Sequence, residues 1–222
     1  MNLIIDGNNI FHACFYMTPV PEMAPHLFLN KVRKYVQVFH PKQVYIAWDG
    51  GRAQWRQDLM QGEYKAGRKE NEASIVTGMK RCQELTEALG VMNVRIPGYE
   101  ADDVIYNMID MSEKPESYTV LSADKDFYQL TQSHGVQVFN PLKDAVMFFD
   151  IPDYVSYKAL VGDGSDNIKG VPSIGPKRAT KMLNEKTLDK YFEGKLEHKQ
   201  IFDRNLRLID FRLNPQNQEI KD

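Results

Sequence analysis

Residues 91–109 read VMNVRIPGYEADDVIYNMI, and the reading of this stretch decides the fold. A short run with β-branched residues (91–96) stops at Pro97-Gly98, a turn signal. A helical pattern follows at once. Val104, Ile105, Met108 and Ile109 recur at the spacing of one buried helix face. The stretch is therefore one strand–turn–helix unit, with Glu100, Asp102 and Asp103 at the handover from strand to helix.

The unit repeats along the chain. Strands are predicted at LII (3–5), VYIAW (44–48), YTVLS (118–122), VQVF (136–139) and VMFF (146–149), with helices near 26–39, 74–89, 101–111 and 125–132. That alternation predicts an α/β domain over residues 1–150 with a largely parallel central sheet. After residue 150 the pattern turns helical, near 152–161, 176–184, 187–193 and 197–211, so residues 151–222 are expected to form a helical subdomain. Pro176, just behind Gly175, stands where a first-turn proline would. Segment 50–73 is polar, glycine-punctuated and rich in both charge signs, and is expected to project as a long loop or loose helices.

Acids fall at the ends of four strands. Asp6 follows LII, Asp49 follows VYIAW, Glu100, Asp102 and Asp103 follow VMNVRI, and Asp124 and Asp126 follow YTVLS. In a parallel sheet the carboxyl ends of the strands share one edge, where ligands bind. Taken singly, each acid has a plainer explanation, since the helix dipole favours acids in a first turn by a few tenths to about 1 kcal/mol. Taken together they repel, and partial burial raises their pKa values. A hard divalent cation relieves both costs, and an oxygen-only donor set suits Mg²⁺ or Mn²⁺.

Composition is compatible with this. The chain has 222 residues, 42% hydrophobic and 26% charged, with a net charge of −2. Setting aside the nine acids of the motifs discussed here leaves 21 acids against 28 basic residues, a surface surplus of seven positive charges that suits an anionic partner. Cys14 and Cys82 lie far apart and are expected to be reduced thiols of a cytoplasmic chain. The start, MNLIID, suggests no signal peptide, and no apolar run approaches membrane-spanning length. His12, His26, His40, His134 and His198 show no HExxH spacing, and neither a GxSxG elbow nor a GxxxxGK[ST] loop occurs.

Six collinear segments, IIDGNN, AWDGG, YKAGR, GYEADD, SADKDFYQL and VGDGSDNIKGVPSIGPKRA, make residues 3–184 resemble the 5′-nuclease family. That family comprises flap endonucleases, the 5′-nuclease domain of bacterial DNA polymerase I and bacteriophage 5′-exonucleases with ribonuclease H activity. The resemblance implies a PIN-like catalytic domain with residues 50–73 as an arch or gateway, and a C-terminal helix–three-turn–helix subdomain. It implies Asp6, Asp49, Glu100, Asp102, Asp124, Asp126 and Asp163 as metal-site acids, with Asp103 and Asp166 in support. Two Mg²⁺ or Mn²⁺ ions would serve hydrolysis giving 5′-phosphate products. Lys65 and Arg68, with Asp124, are the implied catalytic residues, the two cations reaching the scissile phosphate. The implied DNA-binding set is Tyr64 (stacking on a base), Arg52, Gly170, Gly175, Lys177, Arg178 and Lys181. GVPSIGPKRA would hold a K⁺ ion through main-chain carbonyls and bring its glycine backbone close to a phosphate. Ser173 stands where many members have glycine. Residues 169–207, with ten Lys/Arg against five Asp/Glu, supply a basic face.

The implied activity is cleavage at 5′ ends or 5′ flaps of branched DNA in replication or repair, by a monomer in the cytoplasm of a bacterial or phage-infected cell, alongside replication-fork proteins and away from membranes. Alternatives are a 5′→3′ exonuclease removing RNA primers from RNA–DNA hybrids, a PIN-domain ribonuclease, and a junction-binding protein without catalysis. The glycine hairpin weighs against the ribonuclease. The crowded acids weigh against a mere binder.

Overall fold

The computed structural model describes residues 1–67 and 72–217. In chain order its elements are β1 (Asn2–Asp6), α1 (Gly7–Met17), α2 (Ala24–Phe39), β2 (Val44–Ala47), α3 (Gln54–Leu59), α4 (Ala73–Ala88), β3 (Met92–Val94), α5 (Ala101–Asp110), β4 (Tyr118–Leu121), α6 (Tyr128–His134), β5 (Gln137–Asn140), β6 (Ala145–Val146), α7 (Tyr154–Val161), β7 (Gly162–Asp163), β8 (Ile168–Lys169), α8 (Pro176–Asn184), α9 (Leu188–Phe192) and α10 (Leu196–Ile209). They divide into two compact units, residues 1–53 with 72–147, and residues 54–67 with 148–217.

The first unit is built on a sheet of order β3-β2-β1-β4-β5-β6, parallel except for β6. Leu3, Ile4 and Ile5 are all 0% exposed, as expected of a central parallel strand covered on both faces. Leu3 and Ile5 face a core shared with Phe11, Phe28, Tyr35 and Trp48 from α1, α2 and the end of β2. Ile4 alternates to the other face, where α5 packs on β1 and β2. Strand order reverses at β1, which has β2 on one side and β4 on the other. A crevice is expected at the carboxyl ends of strands flanking such a switch.

The second unit is helical. Ala159 and Leu160 of α7, Ala179 and Met182 of α8, Phe192 of α9 and Phe202, Leu208 and Ile209 of α10 share one core. Its interior contains a satisfied polar clasp: Asn205, 0% exposed, donates to the carbonyls of Ala159 and Lys169, each at 2.9 Å. That side chain ties α10 to the end of α7 and to β8. The buried Ala159 carbonyl and the part-buried Lys169 carbonyl thereby gain donors.

The α/β expectation and the C-terminal helical expectation both hold. Two details differ. GNNIFHACFYM forms α1, which was not foreseen although Ile10, Phe11, Cys14 and Phe15 already show helical spacing and are buried. VMFF contributes only Val146 to the two-residue strand β6, while Phe148 is exposed and Phe149 stacks edge-on against Tyr154 at 4.9 Å. Of the segment 50–73 expected as an arch, residues 68–71 lie outside the described residues; among the rest, Leu59, Met60 and Tyr64 pack into the core of the second unit, and Arg56 is 2% exposed with Nε donating to the Leu208 carbonyl. Apolar residues spaced along a polar segment supply that anchorage. Among the described residues no helix is long and apolar enough to cross a membrane.

Candidate functional site

The acids at the strand ends of the first unit are tied together by short-range chemistry. Asp6 caps α1, its Oδ1 accepting from Asn9 N at 3.1 Å. Its Oδ2 accepts from Ser122 Oγ at 2.8 Å, across β1 and β4. Ser122 Oγ in turn accepts from Asp124 N at 3.0 Å, and Asp124 Oδ1 accepts from Asp126 N at 3.0 Å. Asn9 Oδ1 accepts from Ala123 N at 3.0 Å and closes the loop after β4 onto α1. One serine and one asparagine thus set the spacing of Asp6, Asp124 and Asp126.

Asp49 is anchored from both sides. Asn8 accepts from its backbone N–H and donates to its Oδ2, each at 2.9 Å. Its Oδ1 accepts from Ala101 N at 2.8 Å, at the start of α5. The neighbouring backbone is locked too: Gly50 N donates to the Tyr99 carbonyl and Gly98 N to the Gly50 carbonyl. A Cβ at Gly50 would stand 1.7 Å from the Ile96 carbonyl oxygen, so only glycine allows AWDGG to lie against PGYE. This contact brings Asp49 beside the GYEADD acids. Glu100, Asp102 and Asp103 offer carboxylate oxygens within 4.8 Å of one another, with Glu100 and Asp103 buried and Asp102 half-buried.

Burial pushes the Asp6 carboxyl up to about 7, and repulsion from Asp124 and Asp49 adds to it against the hydrogen bonds from Asn9 and Ser122. A carboxyl so placed is uncomfortable when ionised alone. The donor set is all oxygen, without His or Cys, which fits a hard divalent cation. Asp6, Asp49, Glu100, Asp102, Asp103, Asp124 and Asp126 are the residues of this unit that could hold one. Arg52 is exposed, just past the glycine pair. The sequence reading missed Asn8, Asn9 and Ser122. The signal was there in IIDGNN and LSADKD, where amide and hydroxyl side chains adjoin the acids.

The remaining predicted residues lie in the second unit, except Arg68, which falls outside the described residues. Tyr64 was expected to stack on a base, but its ring is 2% exposed and its hydroxyl donates to Asp166 Oδ2 at 3.3 Å. The apolar core of this unit has claimed the ring, which leaves no face of Tyr64 for a base. Lys65 is half-buried, has a left-handed backbone (φ 54°) and carries its ammonium 4.8 Å from the centre of the Tyr64 ring. Its N–H donates to the Asp166 carbonyl at 3.1 Å, and Asn167 donates to the Glu63 carbonyl at 3.0 Å, docking YKAG on DGSDN. Asp163 lies 2.6 Å from Lys158 Nζ. Burial alone would raise its pKa, but Lys158 and the Ser165 donors hold it down at about 2.

In the hairpin 170–175, Val171 N donates to the Leu160 carbonyl and Ala179 N to the Gly175 carbonyl. Gly170 is needed for internal packing: a Cβ there would stand 2.3 Å from the Val161 carbonyl oxygen. A Cβ at Gly175 would meet nothing within 4 Å. Ser173 has φ 61°, the left-handed region where glycine pays no steric cost. Arg178 donates to the Ser173 carbonyl at 3.1 Å and lies over the Tyr191 ring at 5.1 Å. Lys177 is exposed in the first turn of α8, and exposed Lys181 lies 3.9 Å from Glu185.

Comparison with known proteins adds three findings. Residues 1–158 match the sequence model of the 5′-3′ exonuclease N-terminal resolvase-like domain, and residues 151–208 that of the 5′-3′ exonuclease C-terminal SAM fold. A 5′-3′ exonuclease of Mycoplasmopsis pulmonis (strain UAB CTIP) is 31% identical over 206 residues, covering 86% of this chain and 69% of that protein. Two solved structures share the fold. The T5 5′-exonuclease with bound divalent zinc ions superposes with a TM-score of 0.82 at 21% identity, over 99% of this chain and 92% of the other. The bacteriophage T5 flap endonuclease, in a complex with DNA and metal ions, superposes with a TM-score of 0.78 at 22% identity, over 95% and 89%.

Proposed function

Because the chain belongs to the 5′-3′ exonuclease family, we propose that it is a divalent-metal-dependent nuclease hydrolysing phosphodiesters at 5′ ends or 5′ flaps of DNA. The observation that carries this reading is the linkage of strand-end carboxylates: Asp49 bonded to the start of α5, and Asp6 joined through Ser122 to Asp124. Such crowding is costly unless cations occupy it.

When bound, Mg²⁺ or Mn²⁺ ions would supply an activated water and neutralise charge at the phosphorus. The chain's own residues do the rest. Asp6, Asp49, Glu100, Asp102, Asp103, Asp124 and Asp126 would hold the ions, and Asn8, Asn9 and Ser122 keep Asp6, Asp49 and the loop after β4 in place. Lys65 and Arg68 are proposed to stabilise charge developing on the scissile phosphate. Asp163 and Asp166 are proposed as further metal-supporting acids, for which Asp163 would exchange its lysine for a cation.

The hairpin is proposed to grip the backbone of a duplex through Lys177, Arg178 and main-chain N–H groups at the start of α8, reading shape and not bases. A K⁺ ion at the hairpin carbonyls belongs to the same proposal. Replacing Lys177 and Arg178 together by Ala is expected to weaken duplex binding and to lower the salt slope by up to about two phosphate contacts. Fluorescence anisotropy across a salt series measures this, and an unchanged slope removes these residues from the DNA interface.

The activity itself is tested on flap, nicked, gapped and RNA-primed substrates with Mg²⁺ and then with EDTA. Cleavage confined to the Mg²⁺ reactions with 5′-phosphate products is expected. Cleavage surviving EDTA, or absent on every substrate, overturns the proposal. Flap cutting releases an intact oligonucleotide, whereas exonucleolytic primer removal releases mono- or short oligonucleotides.

A further inference from the structure

In the second unit, Asp163 already has a cation of its own. Lys158 Nζ lies 2.6 Å from Asp163 Oδ2, and the two side chains keep only 12% and 14% exposure. The other oxygen is occupied as well, accepting from Ser165 N at 2.8 Å and Ser165 Oγ at 2.7 Å. Lys158 sits in the last turn of α7, where the helix dipole favours a positive charge. Ser165 Oγ also reaches to 3.5 Å from Asp166 Oδ1, so the two carboxylates share one hydroxyl.

We propose that Lys158 is a built-in competitor for a divalent cation at Asp163, holding the carboxylate until the metal displaces it. The inference rests on the reading of Asp163 and Asp166 as metal-supporting acids. An ammonium and a hard dication seek the same carboxylate lone pairs, and Mg²⁺ needs its oxygens at about 2.0–2.1 Å. Side by side on Oδ2 their like charges repel, so each weakens the other's hold. Lysine suits the exchange because its point charge rides on a flexible four-carbon stem, whereas an arginine fork would hold on with two bonds. The exchange is cation for cation. Lys158 is in this sense a positioning residue: it weakens metal uptake at Asp163 while keeping the acid charged and in place.

The test uses the full chain and Mn²⁺ alone, without DNA, with free ion followed by electron paramagnetic resonance. Lys158→Met is expected to tighten one class of Mn²⁺ site at least tenfold, and Lys158→Gln, which keeps a hydrogen-bond donor without the charge, to do the same. Adding Asp163→Asn to either variant should abolish the gain and leave that site no tighter than in the wild type. Lys158→Arg should bind no more tightly than the wild type. Circular dichroism checks that the variants retain their helices. An unchanged or weaker isotherm in a folded Lys158→Met or Lys158→Gln protein overturns the competitor proposal. If Asp124→Asn still removes a Mn²⁺ site in that case, the metal reading of the first unit stands without it. Should no variant, nor the wild type, bind Mn²⁺, the metal reading falls and takes this proposal with it.

Discussion

Asp124→Asn is expected to lower Mg²⁺-dependent cleavage by on the order of a thousandfold or more, the scale at which one electrostatic group aimed at a reacting centre counts. Binding of a flap substrate without added metal should change by no more than a few-fold. The contrast follows from what Asp124 does locally. Its Oδ1 caps the turn that follows β4 by accepting from Asp126 N at 3.0 Å. Asparagine is an equally good capping residue, so the loop keeps its shape. What goes is one negative charge from a group close enough to raise the pKa of Asp6. Parental cleavage rates in the variant would remove Asp124 from the metal-binding set.

The second large effect concerns the metal-free protein. Asp6 has its carboxyl pushed from 3.8 to about 7, chiefly by burial. A raised folded-state pKa means that the native chain binds this proton more tightly than the unfolded chain does. The associated stability is fully present below pH 3.8 and is lost as pH rises through about 7. A tenfold difference in proton affinity between the two states corresponds to about 1.4 kcal/mol, so the full loss amounts to a few kcal/mol. In EDTA, Asp6→Asn should therefore match the wild type in stability only below pH 3.8, and its advantage should be larger by about 2–3 kcal/mol near pH 8 than near pH 5. A carboxamide can accept from Asn9 N as the carboxylate does, and it cannot ionise. Urea unfolding at the two pH values measures the difference. A gap of equal size at both would show that ionisation of Asp6 carries no stability cost. Saturating Mg²⁺ should erase the wild-type deficit at pH 8, because a bound cation offsets the cost of the charged form.

Much of the site was legible because its logic is local. VMNVRIPGYEADDVIYNMI announces a strand, a turn and a helix, and the acids occupy the turn whatever the strand pairs with. α1 was missed because its first residues, GNN, are poor helix formers, while the cap from Asp6 that starts the helix is a hydrogen bond and not a composition. Gly170 shows a different limit of sequence reading. A glycine needed for a close approach looks the same in sequence whether the neighbour is a phosphate or the Val161 carbonyl.

The sequence by itself determined the βα alternation, the helical C-terminal segment and the delivery of carboxylates to strand ends, since periods of 2 and 3.6 residues and turn chemistry are properties of neighbours along the chain. Tertiary structure decided the rest. It paired β1 with both β2 and β4, so that Ser122 bridges to Asp6 across 116 residues. It buried the Tyr64 ring that looked free to stack, and set Lys158 against Asp163. Those outcomes depend on which surfaces exclude water from one another and on which cation reaches an acid first, and neither is written in local pattern.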